Sequence, residues 1–243
     1  MSRPHMRFVA VKTVEQQDIQ AVHRIRAGLL SQRTAKANQV RGLVAEYGLV
    51  APQQLASLRA AIPDWLEDAG NGLSSRFRRL LSDLSGDLKY LDQRITALDQ
   101  EITTLARQDP VAKRLQQLRG VGPLIATALV AAVGNAEQFK NGRQMAASLG
   151  LTPGQHSSGG KERLLGITKR GDVYLRTLLI HGARSAIYAA RHKDDRLSQW
   201  VTGLAIRRHP NVAATALANK TARIAWAMLR RGTDYQPDMT VPA

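Results

Sequence analysis

The sequence of 243 residues is 44% hydrophobic, enough for a sizeable core in more than one unit. It contains no cysteine, which excludes disulfides and thiolate zinc sites and suits a reducing cytoplasm. A formal net charge of +16 favours polyanions, while the longest apolar run, Leu124–Gly134, is too short to cross a bilayer and Met1–Thr13 has no signal-peptide pattern, so no membrane partner is expected.

In chain order, the best strand candidate is Arg7–Lys12, and Val14–Tyr47 then reads as a long helix ended by Gly48. That helix carries Arg24, Arg26, Arg33, Lys36 and Arg41. Arg26, Arg33 and Lys36 fall close to one face, as a phosphate-tracking surface or as an ordinary charged solvent face. Residues 51–72, with Pro52, Pro63, Gly70 and Gly72, read as a broken linker with short helical turns. Phe77, Leu81, Leu84, Leu88, Leu91, Ile95, Leu98, Ile102 and Leu105 recur at steps of four and three, the a/d seam of a coiled coil. Such a seam needs a partner, either the preceding helix or its own copy in a homo-oligomer. Asp83, Asp87, Asp92, Asp99 and Glu101 lie off the seam and read as its solvated face. The helix is expected to stop at Asp109-Pro110.

Further on, Leu118-Arg119-Gly120-Val121-Gly122-Pro123 before the apolar helix Leu124–Val133 has the look of a helix-hairpin-helix. Gly120 and Gly122 would let backbone N–H groups face a phosphate, and a structural tight turn is the alternative. Asn141-Gly142 opens a helix over Arg143–Leu149, Asp172 caps or begins Val173–Ala190, and Asn211 caps Val212–Arg230. Arg176 and Arg184 are clamps or the wet side of their helix. Trp200 and Trp226 read as packing, and Arg207-Arg208 and Arg230-Arg231 as electrostatic footing for DNA.

The stretch Leu149–Arg176, LGLTPGQHSSGGKERLLGITKRGDVYLR, places Ser157 and Ser158 beside two glycines and ahead of Lys161, Arg163, Lys169, Arg170 and Arg176. Serine needs activation to act as a nucleophile, and cations must hold a transferring phosphoryl group, so the layout suits chemistry on phosphate. An ordinary basic surface turn has the same composition. Gly154–Lys161 departs from a P-loop, since the lysine is one place late and Glu162 replaces the Ser/Thr that magnesium requires. Neither serine lies in a G-x-S-x-G elbow. His156 is two residues from Ser158, where it is either its base or a spectator.

The runs LGLTPGQHSSGGK and GITKRGDVYLRTLL and the tail ANKTARIAWAMLRRG resemble the C-terminal domain of the IS110 and IS1111 transposases, insertion-sequence recombinases guided by a bridge RNA. Arg7–Gly48 resembles their middle segment, so the resemblance covers nearly the whole chain. It implies a composite active site in which a Holliday-junction-resolvase-like domain holds magnesium on four carboxylates, in the order Asp, Glu, Asp, Asp. The C-terminal domain contributes one serine that attacks DNA and becomes covalently linked to it. The family's Ser-Gly motif falls on Ser158 and not on Ser157.

None of the four carboxylates is carried over. In the family they lie upstream of the segment that begins here at Arg3, and Glu15 and Asp18 sit in helical text. The expectation is therefore a transposase lacking most of its metal-binding domain, through truncation or an internal start, and inactive by itself. A non-catalytic, dimerising nucleic-acid-binding regulator of transposition is the alternative. Charge is uneven: nine basic against three acidic residues over 1–60, six against nine over 61–110, and twenty against seven over 111–243. These segments are expected to be a remnant of the metal-binding domain with its basic helix, a coiled-coil arm, and a C-terminal transposase domain. The fold expected is mainly α, with long coiled-coil helices, an all-helical C-terminal domain and at most one remnant strand. Lys161, Lys169, Arg170 and Arg176 of the last segment, with Gly120 and Gly122, are its candidate DNA contacts. Arg24, Arg33, Lys36 and Arg41 are the candidates of the basic helix, facing RNA if the family analogy holds.

Overall fold

Helix α1, Val14–Ala45, ends where the sequence predicts, in a turn at Gly48, in a computed structural model that describes residues 11–237. The expected strand at Arg7–Lys12 lies largely outside the described residues, and Val11 and Lys12 are not in a strand. Helix α2, Leu55–Glu67, replaces the expected broken linker. Its fully buried Leu58 and Ile62 offset the helix bond lost at Pro63. Arg78 closes the end of α2, its guanidinium donating to the carbonyls of Trp65, Leu66 and Asp68, so orphaned C-terminal acceptors are satisfied by a side chain. Helix α3, Ser75–Gln108, carries the predicted seam.

Packing divides the chain into two units, one spanning Ala21–Glu101. In it, Phe77, Leu81 and Leu88 of α3 join Ala37, Val40 and Val44 of α1 and Leu58 and Ile62 of α2. Leu91 and Ile95 close a second cluster with Leu29 of α1. The seam is thus filled from within the chain. The α1–α3 pair is antiparallel, for Arg26, Arg33 and Lys36 pair with Asp99 at 2.5 Å, Asp92 at 3.1 Å and Asp87 at 2.9 Å. These acids stay partly exposed, as a solvated face would, and also pair with the basic residues of α1. Partly exposed pairs contribute roughly 0.2–1 kcal/mol each, so they set register more than stability.

His23 sits in this unit at 2% exposure. Burial, reinforced by Arg26, lowers its pKa from 6.5 to about 4. Between these values the unfolded chain binds a proton that the folded one refuses, so stability is full above the unfolded pKa and falls as pH drops. We predict a loss of about 2–3 kcal/mol between pH 7 and pH 4.5 for this unit, measured by urea unfolding followed by circular dichroism. His23→Gln should lower stability at pH 7 and flatten that pH slope; an unchanged slope would show that His23 is not its source.

The second unit contains the remaining described residues. Helix α3 stops at Gln108, and Asp109 caps a new helix α4, Pro110–Leu115, by accepting the Val111 N–H at 2.8 Å. Helices α5 (Pro123–Val133) and α6 (Gly142–Ser148) follow, the latter capped by Asn141. A hairpin of β1 (Pro153–Gln155) and β2 (Leu164–Ile167) then interrupts the helices, so this part is not all-helical. Helix α7 (Val173–Ala190) is capped by Asp172 and α8 (Arg196–Arg207) by Asp195. Helix α9, Pro210–Arg231, begins earlier than expected, with His209 as its cap and Pro210 in the first turn.

Alanines make this core tight. Ala214, Ala218, Ala222 and Ala225 of α9 are buried with Leu175, Leu179 and Ala183 of α7 around the apolar α5. Gly120 has φ +77°, and a Cβ on it would collide with the Gly182 carbonyl oxygen. A Cβ on Gly182 would in turn collide with the Gly120 oxygen. Two backbones thus meet there, which is a packing reason for Gly120.

Candidate active site

The serine loop is the end of the β1–β2 hairpin. Ser158 and Lys161 face each other across Gly159 and Gly160, whose φ values of +57° and +79° suit the two-residue turns that glycine allows. The Lys161 N–H donates to the Ser158 carbonyl at 3.1 Å, and the His156 N–H to the Arg163 carbonyl at 2.9 Å. Hydrogen bonds therefore hold the loop in shape nearly to its tip.

The two hydroxyls differ. Ser157 Oγ accepts the Arg163 N–H at 3.2 Å and Gln155 Nε2–H at 3.0 Å, tying the hairpin together. Ser158 is exposed, and its hydroxyl has no hydrogen-bond partner among the described residues. Lys161 and Arg163 are exposed beside it, and His156 makes no side-chain bond to either serine.

Behind the hairpin, Lys169 adopts φ +56°, the left-handed region that lysine rarely enters, and its N–H donates to the Gly150 carbonyl at 3.3 Å. Arg176, expected as a phosphate clamp, is only 8% exposed and donates to the Leu149 and Arg170 carbonyls, each at 3.0 Å. Its guanidinium is spent on holding the Lys169-Arg170 turn, so that expectation is corrected to a positioning role. Lys169 and Arg170 remain exposed. A substitution separates shape from charge. Lys169→Gly should keep or slightly raise the melting temperature, because glycine accepts this φ without cost, yet weaken DNA binding. A marked fall in melting temperature would contradict the strained turn.

Of the other predicted contacts, Gly122 caps α5, and Arg24 is exposed on α1. Arg33 and Lys36 are engaged with Asp92 and Asp87. Arg41 donates to the carbonyls of Pro52 at 3.2 Å and Gln53 at 2.6 Å. On α1, Arg33, Lys36 and Arg41 thus have partners within their own unit, while Arg24 is exposed. Arg119, next to Gly120, pairs with Asp195 at 2.6 Å. Burial pushes the Asp195 carboxyl up, but hydrogen bonds from Ser198 and Arg119 outweigh it and hold the carboxyl well below the usual carboxylate range.

Sequence reasoning missed a cleft of about 1200 Å³ at the base of the hairpin. Leu165 and Ile167 of β2 form part of its wall, together with Trp200 of α8 and Trp226 of α9. Arg143, Arg196, Lys220, Arg223 and Arg231 line it, against Asp234 as the one lining acid among the described residues. Burial lowers the Lys220 pKa, and Arg196 and Arg223 lower it further by repulsion. Trp226 is anchored, its indole N–H donating to the Phe139 carbonyl at 3.2 Å, as expected of a packing residue. Trp200 is 37% exposed, with the Lys220 ammonium 4.6 Å from its ring centroid. The signal was obscured because these cations come from three separate helices.

A mainly helical domain thus carries an exposed serine on a basic hairpin. The profile of the Transposase IS116/IS110/IS902 family matches residues 112–199. Over 237 residues the chain is 47% identical to a "Probable family 20 transposase" of Pseudomonas aeruginosa, covering 97% of this chain and 70% of that protein. It is 45% identical over 235 residues to the transposase for insertion sequence element IS1111A of Coxiella burnetii, covering 97% and 65%. The transposase for IS1328 of Yersinia enterocolitica is 38% identical over 236 residues, covering 96% and 69%. The chain belongs to the IS110/IS116/IS902 family of insertion-sequence transposases, a class of DNA-recombining enzymes. It spans about two thirds of the length of these relatives. Among the described residues no helix is long and apolar enough to cross a membrane, and no group of three His, Cys, Asp or Glu side chains converges to hold a metal.

Proposed function

We propose that the chain acts in DNA transposition through Ser158, which attacks a DNA phosphodiester. One observation carries this reading: of the two adjacent serines, Ser157 is consumed by the hairpin's own hydrogen bonds while the Ser158 hydroxyl is exposed at the tip. In the step proposed, Ser158 Oγ forms a bond to phosphorus, the bridging P–O bond of the strand breaks, and the departing oxygen gains a proton as the serine loses its own. Lys161 and Arg163 sit where charge accumulates on the non-bridging oxygens.

The described residues do not fit a magnesium site, having no converging acids. The activator of Ser158 and the acceptor of its proton are therefore assigned to the metal-binding portion that the family resemblance implies. Homo-oligomer formation, a bridge RNA partner and helix-hairpin-helix contact at Gly122 with the DNA backbone belong to the same reading. The chain is tested by incubating it with labelled DNA, magnesium and the metal-binding portion of a family relative. A covalent adduct dependent on Ser158 is expected; its formation on another residue would overturn the assignment.

Duplex binding is expected to rest on phosphate contacts from Lys169 and Arg170. Replacing both by Ala should reduce the slope of log affinity against log salt by roughly 0.9 for each phosphate no longer neutralised. An unchanged slope in a fluorescence-anisotropy titration would remove them from the interface.

A further inference from the structure

The basic cleft at the base of the hairpin is not needed for the attack by Ser158 as described, and its charge calls for an explanation. Arg143, Arg196, Lys220 and Arg223 converge on it, and none of them makes an ion pair among the described residues. The lining acid, Asp234, is already engaged by Arg114 at 3.5 Å and by Gln117 at 3.1 Å. Burial, and then repulsion from Arg196 and Arg223, lowers the Lys220 pKa, so an anion bound among these cations would be favoured. A lone phosphate would leave the aromatic and aliphatic wall unused. Trp200 is 37% exposed and carries the Lys220 ammonium over its ring at 4.6 Å from the centroid, so an aromatic surface for a base and a cation for the adjoining phosphate lie together in the cleft. The volume of about 1200 Å³ exceeds that of a typical small-molecule pocket, as an extended strand requires.

From this convergence we infer that the cleft binds single-stranded DNA, with a base stacked on Trp200 and the adjoining phosphates on Arg196, Lys220 and Arg223. Because Leu165 and Ile167 of the serine hairpin form part of the wall, the strand held there is the one presented to Ser158. That last link rests on the proposed role of Ser158; the binding site itself does not.

The full chain is titrated with a fluorescein-labelled ten-nucleotide single strand of mixed sequence, with the corresponding blunt duplex, and with RNA of the same sequence. Trp200→Ala should weaken single-stranded DNA binding by about 5- to 150-fold, the loss of one stacked base, while Trp200→Phe restores most of the affinity. Arg196→Ala with Lys220→Ala should reduce the salt slope for the single strand by about 0.7 for each phosphate no longer neutralised. Both changes should leave duplex binding close to the parent's. Ser158→Ala should not alter these affinities, so a failure of the nucleophile assignment is distinguishable from a failure of the cleft. Parental affinity of Trp200→Ala for the single strand, an unchanged salt slope, equal losses for duplex, or tighter binding of RNA than of DNA would each overturn the inference.

Discussion

Replacing Ser158 by Ala is expected to abolish the covalent protein–DNA adduct while leaving DNA affinity within about twofold, since one exposed hydroxyl contributes little to a surface dominated by phosphate contacts. A missing nucleophile removes the covalent route altogether, whereas the loss of a positioning group lowers its rate. Ser157→Ala tests the other half of the distinction. It deletes the acceptor for the Arg163 N–H and the Gln155 amide, loosening the hairpin without touching the attacking oxygen. Adduct formation should slow roughly 10- to 100-fold, the order that misplacing a reacting group costs. Equal, complete loss in both variants would mean that the hairpin's shape, rather than the Ser158 oxygen, is what the assay reads.

The second large effect lies in the Ala21–Glu101 unit. Leu91→Asp with Leu98→Asp places two carboxylates among Leu29, Leu30 and Ile95, and is expected to destabilise that unit by at least about 4 kcal/mol. Because the seam is filled from α1 within one chain, the outcome predicted is loss of helical circular dichroism. A double variant that keeps its ellipticity and merely halves its mass by light scattering would show instead that the seam joins two copies.

Periodicity and punctuation made much of the fold legible. The seam from Phe77, the stop at Asp109-Pro110, the cap at Asp172 and the end of α1 at Gly48 all follow from local chemistry. Helix α2 was hidden by Pro63, whose local cost is offset by burying Leu58 and Ile62, a tertiary effect that local composition does not register. The hairpin was hidden because glycine and serine mark a loop equally well whether or not strands flank it. Charge was the least legible property. Arg176 and Arg33 look alike in sequence to Lys169, yet the first is buried on carbonyls and the second is paired with Asp92. Conversely, Arg196, Lys220 and Arg223 form one cluster only once α8 and α9 are packed together.

The central claim is that the oxygen bonding to DNA is Ser158 Oγ at the hairpin tip. It is tested most directly by peptide mapping of the adduct formed by the unsubstituted chain with the metal-binding portion supplied. After nuclease trimming and proteolysis, the residual nucleotide mass should be found on Ser158. Its presence on Ser157, or on any residue outside the hairpin, would contradict the account.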